Sequence, residues 1–385
     1  MKLITKIKLN TSKDDLECLQ SMMETFNSAC NYTSQLVESS GVLSNFKLHK
    51  LYYHQIKSKF NLPAQVTCNV LKRTCQSYKS GKKGKIRSFS SNSSVIYDDR
   101  MISFKDDNVS ILTLNKRRKI PLIIYGDKPR EYLKYRKGEV LLKIKNNKVY
   151  LHITCEVPEE PKKSPTGFLG VDLGIVNIAT CSDGTNYSGS NIDKVRNKYQ
   201  NIKSSLQKKR TRSSYRKLKK ISGRQSRFVR NTNHVISKNI VNKAKALDFG
   251  IALEELSKIK TPVSKAQRLR HDQWSFYQLR QFIEYKSELN GIEVFLVNPR
   301  NTSRQCSRCG YIDKKNRKTR NDFKCLSCNF SAYADDNVAI NIAVKDLINI
   351  YIKSIGGGSG IRTHVPVRAH CFPSRPDWPL PHPSI

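Results

Sequence analysis

The second half of this sequence predicts an α/β fold, and the first half predicts a β-rich domain with a helical insertion. From about residue 166 onward, apolar strand-like runs alternate with helical stretches, which is the pattern of an α/β core. Short β-rich runs separated by turn residues fill 84–155, after two helical stretches. A tight group of four cysteines near the C-terminal end adds a metal-binding element.

The N-terminal region is expected to begin with a strand and two helical stretches. Residues 2–9 alternate lysine with apolar side chains, as a half-buried strand does. Ser12 followed by Asp15 is a helix-start signal, and apolar residues at helical spacing come after it. A second helical stretch covers about 48–78 and is interrupted near Pro63.

A small barrel or sheet is expected to follow these helices. The β-rich runs are residues 95–97, 109–114, 120–125, 140–144 and 149–155. Residues 157–165 (VPEEPKKSP) read as a linker. We therefore interpret 1–160 as a β-barrel domain whose helical insertion covers about 12–80.

The region 166–353 is expected to form the α/β domain. Its predicted strands are residues 168–171, 175–181, 251–253 and 292–297, and its predicted helices are about 194–245, 272–289 and 338–352. The tail 354–385 is rich in Pro, His and Arg without periodicity, so we expect it to be disordered. The sequence leaves open whether this tail is native or read-through into a neighbouring transfer-RNA gene.

The charge balance indicates a polyanionic partner. The chain carries 70 Lys and Arg against 31 Asp and Glu, a net charge of +39. Such self-repulsion weakens a compact fold unless a polyanion such as nucleic acid neutralises it. A generally lysine-rich proteome is the alternative, but the charge is clustered. No apolar stretch approaches the roughly 18 residues of a membrane span, so we expect a cytoplasmic, nucleoid-associated protein without a membrane partner.

The cysteine group has the spacing of a structural zinc site. Cys306 and Cys309 form one Cys-x2-Cys pair, and Cys325 and Cys328 form a second pair fifteen residues later. Four thiolates leave no open coordination position, so the predicted role is structural. Four unrelated buried thiols are the alternative, which this spacing disfavours.

Three carboxylates lie at the ends of apolar elements in the α/β region. Asp172 ends one apolar run, Glu254 ends another, and Asp335 stands in an acid pair just before the last predicted helix. Taken alone, a carboxylate at a buried strand end either pairs with a lysine or binds a cation. Convergence of all three would suit two Mg²⁺ ions clamping a phosphodiester. This pattern predicts a nuclease site.

A long basic stretch between the first two acids predicts nucleic-acid contact. Residues 194–230 contain no Asp or Glu, although a solvated helix normally mixes charge signs to form i,i+4 pairs. A merely solvated face is the alternative. The residues predicted to contact nucleic acid are Lys208, Lys209, Arg210, Arg212, Arg216, Lys219, Lys220, Arg224 and Arg227. The basic loop 314–320 between the cysteine pairs is equally compatible with phosphate contact or solvation.

Several motifs together resemble one known family. These motifs are GVDLGIVNIAT (170–180), IALEEL (251–256), TSRQCSRCG (302–310), CLSCNF (325–330) and YADDNVAINIA (333–343). In this order they resemble the TnpB (OrfB-type) proteins of bacterial and archaeal transposons, relatives of the Fanzor proteins and of type V CRISPR effectors. The resemblance is specific across 168–345, looser across 1–160, and absent from the tail.

The resemblance implies an RNA-guided DNA endonuclease that takes part in transposition. It implies a RuvC-like RNase H fold with a zinc-ribbon insertion at 304–331, preceded by a wedge-type barrel that binds guide RNA. The family's catalytic acids fall on Asp172, Glu254 and Asp335, where they would bind Mg²⁺. The motifs place the ligand first in each acid pair, so Glu255 and Asp336 are rejected.

Two other functions are compatible with parts of the sequence. A guided DNA-binding protein that does not cut would need no complete acid triad, yet all three acids are present. A strand-joining transposase would need a His-x-His motif with a downstream Tyr, which residues 49–54 do not provide. The sequence leaves the guide, the target-adjacent DNA motif and the oligomeric state open.

Overall fold

The computed structural model describes residues 1–80, 86–255 and 276–356. Contacts within the chain divide it into two units, Met1–Pro158 and Glu159–Ile385. Among the described helices, none is long and apolar enough to cross a membrane.

The first unit contains a seven-stranded antiparallel sheet. Its strands are β1 (Lys2–Leu9), β2 (Val95–Tyr97), β3 (Ile102–Lys105), β4 (Asn108–Leu112), β5 (Arg117–Ile123), β6 (Arg136–Lys145) and β7 (Lys148–Glu156). They follow the order β2-β6-β7-β1-β5-β4-β3, so the N-terminal strand lies at the centre. Every predicted β-rich run forms a strand, while β3, only four residues long, was not predicted.

Three helices are inserted between β1 and β2. They are α1 (Lys13–Ser40), α2 (Asn45–Phe60) and α3 (Ala64–Ser80), and a short helix α4 (Asp127–Leu133) precedes β6. Ser12 caps α1: its hydroxyl accepts from the Asp15 amide, and the Asp15 carboxylate accepts from the Ser12 amide. The helical stretch predicted to break near Pro63 is α2 followed by α3.

The second unit contains a five-stranded mixed sheet. Its strands are β8 (Gly167–Asp172), β9 (Asn177–Cys181), β10 (Asn186–Ser188), β11 (Phe249–Glu254) and β12 (Val294–Val297). In the order β10-β9-β8-β11-β12, β9 is antiparallel to both β10 and β8, and β8, β11 and β12 run parallel. The three-residue strand β10 was not predicted.

Helices cover both faces of this sheet. The described helices of this unit are α5 (Ser190–Lys209), α6 (Arg212–Ile221), α7 (Arg224–Ala246), α8 (Phe276–Leu289) and α9 (Ala334–Gly356). Leu169, Val171 and Leu253 form a core with residues of α7 and α8 on one face. Phe168 and Ala252, which point to the other face, pack with Val338 and other residues of α9. The expected α/β architecture is confirmed.

The basic stretch is three helices instead of one continuous helix. The first break is at Arg210, which has a left-handed φ of 47°, and Thr211 then caps α6. The second break is at Gly223, whose φ of 74° suits a residue without a Cβ. No proline marks either break, which is why composition alone predicted one region.

The ends of the last two helices differ from expectation. Helix α9 begins at Ala334, so Asp335 and Asp336 occupy its first turn instead of preceding it. It runs to Gly356, so residues 354–356 of the predicted disordered tail are helical, and residues 357–385 lie outside the described part. Residues 272–275, expected to begin α8, also lie outside it.

Candidate active site and metal-binding cysteines

Asp172 and Glu254 end two neighbouring parallel strands at the same level. Val171 is paired with Leu253 across β8 and β11, and each acid is the next residue of its strand. Side chains alternate between the faces of a strand. Asp172 therefore shares a face with Phe168, and Glu254 shares it with Ala252, which is the face covered by α9.

A glycine allows α9 to approach this face closely. A Cβ at Gly170 would collide with the carbonyl oxygen of Ala339 and would lie 2.7 Å from the amide nitrogen of Ala343. The helix backbone therefore packs directly against β8, two residues before Asp172. Only glycine permits this contact without moving the helix.

Asp335 reaches the same region from the first turn of α9. Its Oδ2 accepts a hydrogen bond from Nδ2 of Asn177 at 3.0 Å, and Asn177 is the first residue of β9, the strand next to β8. Its Oδ1 lies 3.6 Å from the Arg317 guanidinium. The helix N-terminus also favours a carboxylate here.

Glu254 and Asp335 both act electrostatically on Asp172. Burial raises the pKa of Asp172 to about 8, and the charges of Glu254 and Asp335 contribute to this rise, while Arg317 lowers it. Burial also raises the pKa of Glu254. A hydrogen bond from Thr302 and the positive charge of Lys345 act in the opposite direction and lower it. Crowded acids of this kind are stabilised in ionised form by a bound cation.

The structure thus brings Asp172, Glu254 and Asp335 together at one end of the sheet. Among the described residues, the four cysteines have all their ligand atoms within 4.8 Å of one another, and the three carboxylates as a set do not. Carboxylate oxygens are hard donors, so the chemistry of these three side chains fits a hard divalent cation.

The four predicted cysteines form one cluster that could hold a metal ion. All four sulfur atoms lie within 4.8 Å of one another. The Cys306 and Cys328 sulfurs are 3.7 Å apart, and the Cys309 and Cys325 sulfurs are 3.5 Å apart. Zn–S bonds of about 2.3 Å in a tetrahedron separate the sulfurs by about 3.8 Å. These distances match tetrahedral coordination.

A small ribbon holds the cysteine cluster. Strands β13 (Asp322–Lys324) and β14 (Ser331–Tyr333) pair antiparallel, and Gln305 bridges to Ile312. Gly310 directly follows the first pair with a φ of 77°, a left-handed conformation that glycine adopts without strain. Phe323 is buried against Cys306 and Cys325, and Phe330 and Ala334 pack in the same small apolar cluster.

The basic residues predicted to contact nucleic acid are all at the surface. They line the end of α5, all of α6 and the start of α7, and each of the nine side chains is exposed. Asp193 of α5 is the only acid between Ser190 and Ala246, and it pairs with the buried Arg196. Their charge is therefore presented to solvent.

Three contacts to the acids were not predicted as such. Asn177 and Arg317 both contact Asp335, and the Thr302 hydroxyl donates to Glu254 Oε1 at 2.6 Å. Asn177 and Thr302 lie inside motifs that resemble the TnpB proteins, which was the one signal in the sequence that could have pointed to them. Arg317 belongs to the basic loop between the cysteine pairs and was interpreted only as a phosphate contact or a solvated residue.

Two family models match the chain in separate regions. Residues 152–258 match the OrfB_IS605 model, described as a probable transposase. Residues 276–342 match the Cas12f1-like TNB domain. The first match includes Asp172 and Glu254, and the second includes Asp335 and the whole cysteine ribbon.

The chain is also similar to two named proteins over most of its length. It is 27% identical over 365 residues to the CRISPR-associated endodeoxyribonuclease Cas12f1 of Sulfoacidibacillus thermotolerans, covering 83% of this chain and 86% of that protein. It is 26% identical to a TnpB-like protein of Methanocaldococcus jannaschii, covering 64% of this chain and 93% of that protein.

A solved structure shares the fold. The cryo-EM structure of a Cas12f1–sgRNA–target DNA complex aligns with a TM-score of 0.60 and 15% identity, covering 86% of this chain and 83% of that one. The OrfB_IS605 match and the similarity to the TnpB-like protein confirm the resemblance that the motifs predicted.

Proposed function

We propose that this chain is an RNA-guided DNA endonuclease of a transposable element, with Asp172, Glu254 and Asp335 as its catalytic acids. The observation that carries the proposal is the convergence of these three carboxylates, from distant parts of the chain, at one end of the mixed sheet. The relatives named above as an endodeoxyribonuclease and as a TnpB-like protein support the same activity.

The nuclease unit is proposed to be RuvC-like. Three antiparallel strands followed by two parallel strands, in the order β10-β9-β8-β11-β12, correspond to the sheet of an RNase H fold. We assign 166–353 to this domain and 304–331 to its zinc-ribbon insertion. The antiparallel sheet with its inserted helices, 1–160, is proposed to be the wedge-type domain that binds the guide RNA.

The three acids are proposed to hold two Mg²⁺ ions. Carboxylate oxygens are the ligands that Mg²⁺ prefers, and burial together with the charges of Glu254 and Asp335 raises the pKa of Asp172, a cost that a bound cation relieves. When bound, the ions would activate water and stabilise the charge that develops on the scissile phosphate. Asn177 donates a hydrogen bond to the Asp335 carboxylate, and Thr302 donates one to the Glu254 carboxylate. Nearby Arg317 supplies positive charge for an approaching phosphodiester.

The cysteine cluster is proposed to bind one structural Zn²⁺. With four protein ligands, such an ion has no free position for substrate. Its contribution is then to fold the ribbon, which places Arg317 beside Asp335.

Base pairing between the guide RNA and the target DNA is proposed to supply sequence specificity, while the basic helices bind the nucleic-acid backbone. The nine exposed basic side chains of α5, α6 and α7 would neutralise phosphates without reading bases. The similarity to the Cas12f1 complex with sgRNA and target DNA supports RNA and DNA as the two partners of this chain.

The decisive experiment begins with the RNA that co-purifies with the protein. Sequencing that RNA identifies the guide, and the complex is then incubated with matching DNA and Mg²⁺. We expect cleavage by the native protein, and no cleavage by Asp172→Ala although its RNA stays bound. RNA and DNA binding without any cleavage by the native chain would instead indicate a guided DNA-binding protein. Cleavage that survives Asp172→Ala would remove the catalytic assignment.

A further inference from the structure

Helix α9 places a row of polar side chains against the segment 298–307, which leads from β12 to the first cysteine pair of the ribbon. Asn337, Asn341 and Lys345 are spaced four residues apart, so they lie on one face of the helix. All three donate hydrogen bonds to the segment 298–307. This segment runs antiparallel to the helix, since its start contacts Lys345 and its end contacts Asn337.

The two asparagines hold the centre and the end of the segment. Nδ2 of Asn341 donates to the carbonyl oxygens of Thr302 at 2.9 Å and Gln305 at 2.7 Å. Nδ2 of Asn337 donates to the Gln305 carbonyl at 2.8 Å, and its Oδ1 accepts from the Ser307 amide at 2.9 Å. The backbone of the segment therefore has fixed partners on α9.

Lys345 holds the start of the same segment. Its Nζ donates to the carbonyl oxygens of Asn298 at 3.0 Å and Arg300 at 2.6 Å. Its positive charge also acts on Glu254. Two carbonyl partners beside a carboxylate suit an ammonium group that is partly withdrawn from water.

Thr302 connects this row to the acid cluster. Its hydroxyl donates to Glu254 Oε1 at 2.6 Å and also lies 2.9 Å from the Pro299 carbonyl oxygen. The side chain is 3% exposed. A buried hydroxyl bonded to a carboxylate restricts the rotation of that carboxylate, and a short bond to an ionised acceptor is a strong one.

Burial makes this arrangement costly unless its bonds are made. Thr302, Asn337 and Asn341 are 3%, 0% and 4% exposed. Apolar side chains could fill the same space without needing partners, whereas each buried amide or hydroxyl requires them. The row therefore specifies one position of the segment 298–307 relative to α9, and so one position of the Thr302 hydroxyl.

We propose that Thr302 is a positioning residue for the Glu254 carboxylate, and that Asn337, Asn341 and Lys345 hold Thr302 in place. The inference rests on the proposed function, because it assigns Glu254 to the divalent-metal site. Outer-shell partners of metal ligands commonly change metal affinity by about 10- to 100-fold when removed. Since the same segment contains Cys306, it also ties the cysteine ribbon to the acid cluster.

The test measures metal binding separately from cleavage. Mn²⁺, a spectroscopically visible substitute for Mg²⁺, is titrated into the full-length chain and followed by electron paramagnetic resonance. We expect Thr302→Val, which removes the hydroxyl at constant volume, to weaken Mn²⁺ binding by about tenfold. Thr302→Ser, which keeps the hydroxyl, should stay within about twofold of the native chain, and Asn341→Leu should weaken binding in the same direction as Thr302→Val.

The matched control is Thr319→Val in the ribbon. The Thr319 hydroxyl also donates to a carboxylate, Asp322 Oδ2 at 2.7 Å, but this pair is exposed. We expect Mn²⁺ binding by Thr319→Val to equal that of the native chain. If Thr302→Val does not fold, Thr302→Ala is measured instead. Native Mn²⁺ affinity in any folded variant without the Thr302 hydroxyl overturns the proposal.

Cleavage assays on the guide complex separate the two proposals. A native complex that does not cleave refutes the proposed function, whatever the Mn²⁺ titrations show. A native complex that cleaves, together with a Thr302→Val complex that cleaves equally at all Mn²⁺ concentrations, refutes the positioning role alone. The expected result is a Thr302→Val complex whose cleavage needs about tenfold more Mn²⁺ and recovers at high concentration.

Discussion

The Arg317 guanidinium lies 3.6 Å from the Asp335 carboxylate, which places a basic side chain of the cysteine ribbon against the first turn of α9. Both side chains are about one-third exposed, so the ion pair itself adds little to stability. Its importance is electrostatic, because Arg317 also lowers the pKa of the buried Asp172. The pKa of Asp172 therefore depends on its burial, on the two neighbouring acids and on Arg317.

The magnesium-free protein should lose stability as the pH rises from about 4 to about 8. Burial and neighbouring acids raise the Asp172 pKa from 3.8 to about 8, so over this range the folded state keeps a proton that the unfolded state loses. Urea unfolding at a series of pH values should show a decrease of up to about 5 kcal/mol. Asp172→Asn should remove this part of the pH dependence. Equal slopes for both proteins would contradict the assigned environment.

Added Mg²⁺ should restore the stability that ionised Asp172 costs. Binding requires the deprotonated carboxylate, so the stabilisation should strengthen up to about pH 8 and then level off. The melting temperature at pH 8 is therefore expected to rise with Mg²⁺ in the native chain and to stay nearly constant in Asp172→Asn. An equal rise in both would place the bound ion elsewhere.

The first acid of each adjacent pair should matter for cleavage, and the second should not. Glu254→Gln removes a carboxylate of the cluster, and a loss of several kcal/mol of charge stabilisation corresponds to a rate reduction of about 10³ or more. Glu255→Gln is the matched control, because the Glu255 carboxylate forms an ion pair with Arg280 at 3.0 Å. The single-turnover cleavage rates of the two variants are measured under the same conditions. Similar rate losses in both would contradict the assignment of Glu254, and not Glu255, to the catalytic acids.

Substitution of one cysteine ligand should release the bound ion and unfold the ribbon. Cys325→Ser is expected to lower the zinc content, measured by mass spectrometry, from about one ion per chain to nearly none. Cys18→Ser, at a half-buried cysteine of α1 outside the cluster, should keep the native zinc content. A native zinc content in Cys325→Ser would show that the ion is bound by other residues.

Basic residues of α5 and α6 should set the salt dependence of nucleic-acid binding. Replacing Lys208, Lys209, Arg212 and Arg216 by alanine should reduce the slope of log affinity against log salt by up to about 0.9 for each phosphate that is no longer neutralised. The single-site comparison is Lys208→Ala with Lys245→Ala, because Lys245 is already paired with Glu160 at 2.6 Å. We expect only the first to change the slope. An unchanged slope in the quadruple variant would favour a merely solvated surface.

Features that depend on short stretches of chain could be predicted from the sequence. The apolar strands that end in Asp172 and Glu254, and the Cys-x2-Cys spacing, are local patterns, and the structure has the strands and the cysteine cluster where these patterns predicted them. The Ser12 capping box is equally local. The catalytic, zinc-binding and nucleic-acid-binding assignments of these residues stay predictions, as do the domain functions.

Features that depend on contacts between distant segments could not be predicted. The bond from Asn177 to Asp335 joins residues 158 positions apart, and no local pattern identifies such a pair. The breaks at Arg210 and Gly223 also escaped prediction, since a strongly basic composition is compatible with one helix or several. The position of Asp335 inside α9 differed because only the apolar residues were used to locate the helix start.

The absence of a side chain at Gly170 affects the distance between Asp172 on β8 and Asp335 on α9. Because main chain meets main chain there, the gap between β8 and α9 does not depend on which apolar residues fill the surrounding core. Core substitutions can then accumulate without changing the span from Asp172 to Asp335. A single methyl group at position 170, by contrast, would push the helix outward and carry Asp335, Asn337 and Asn341 away together.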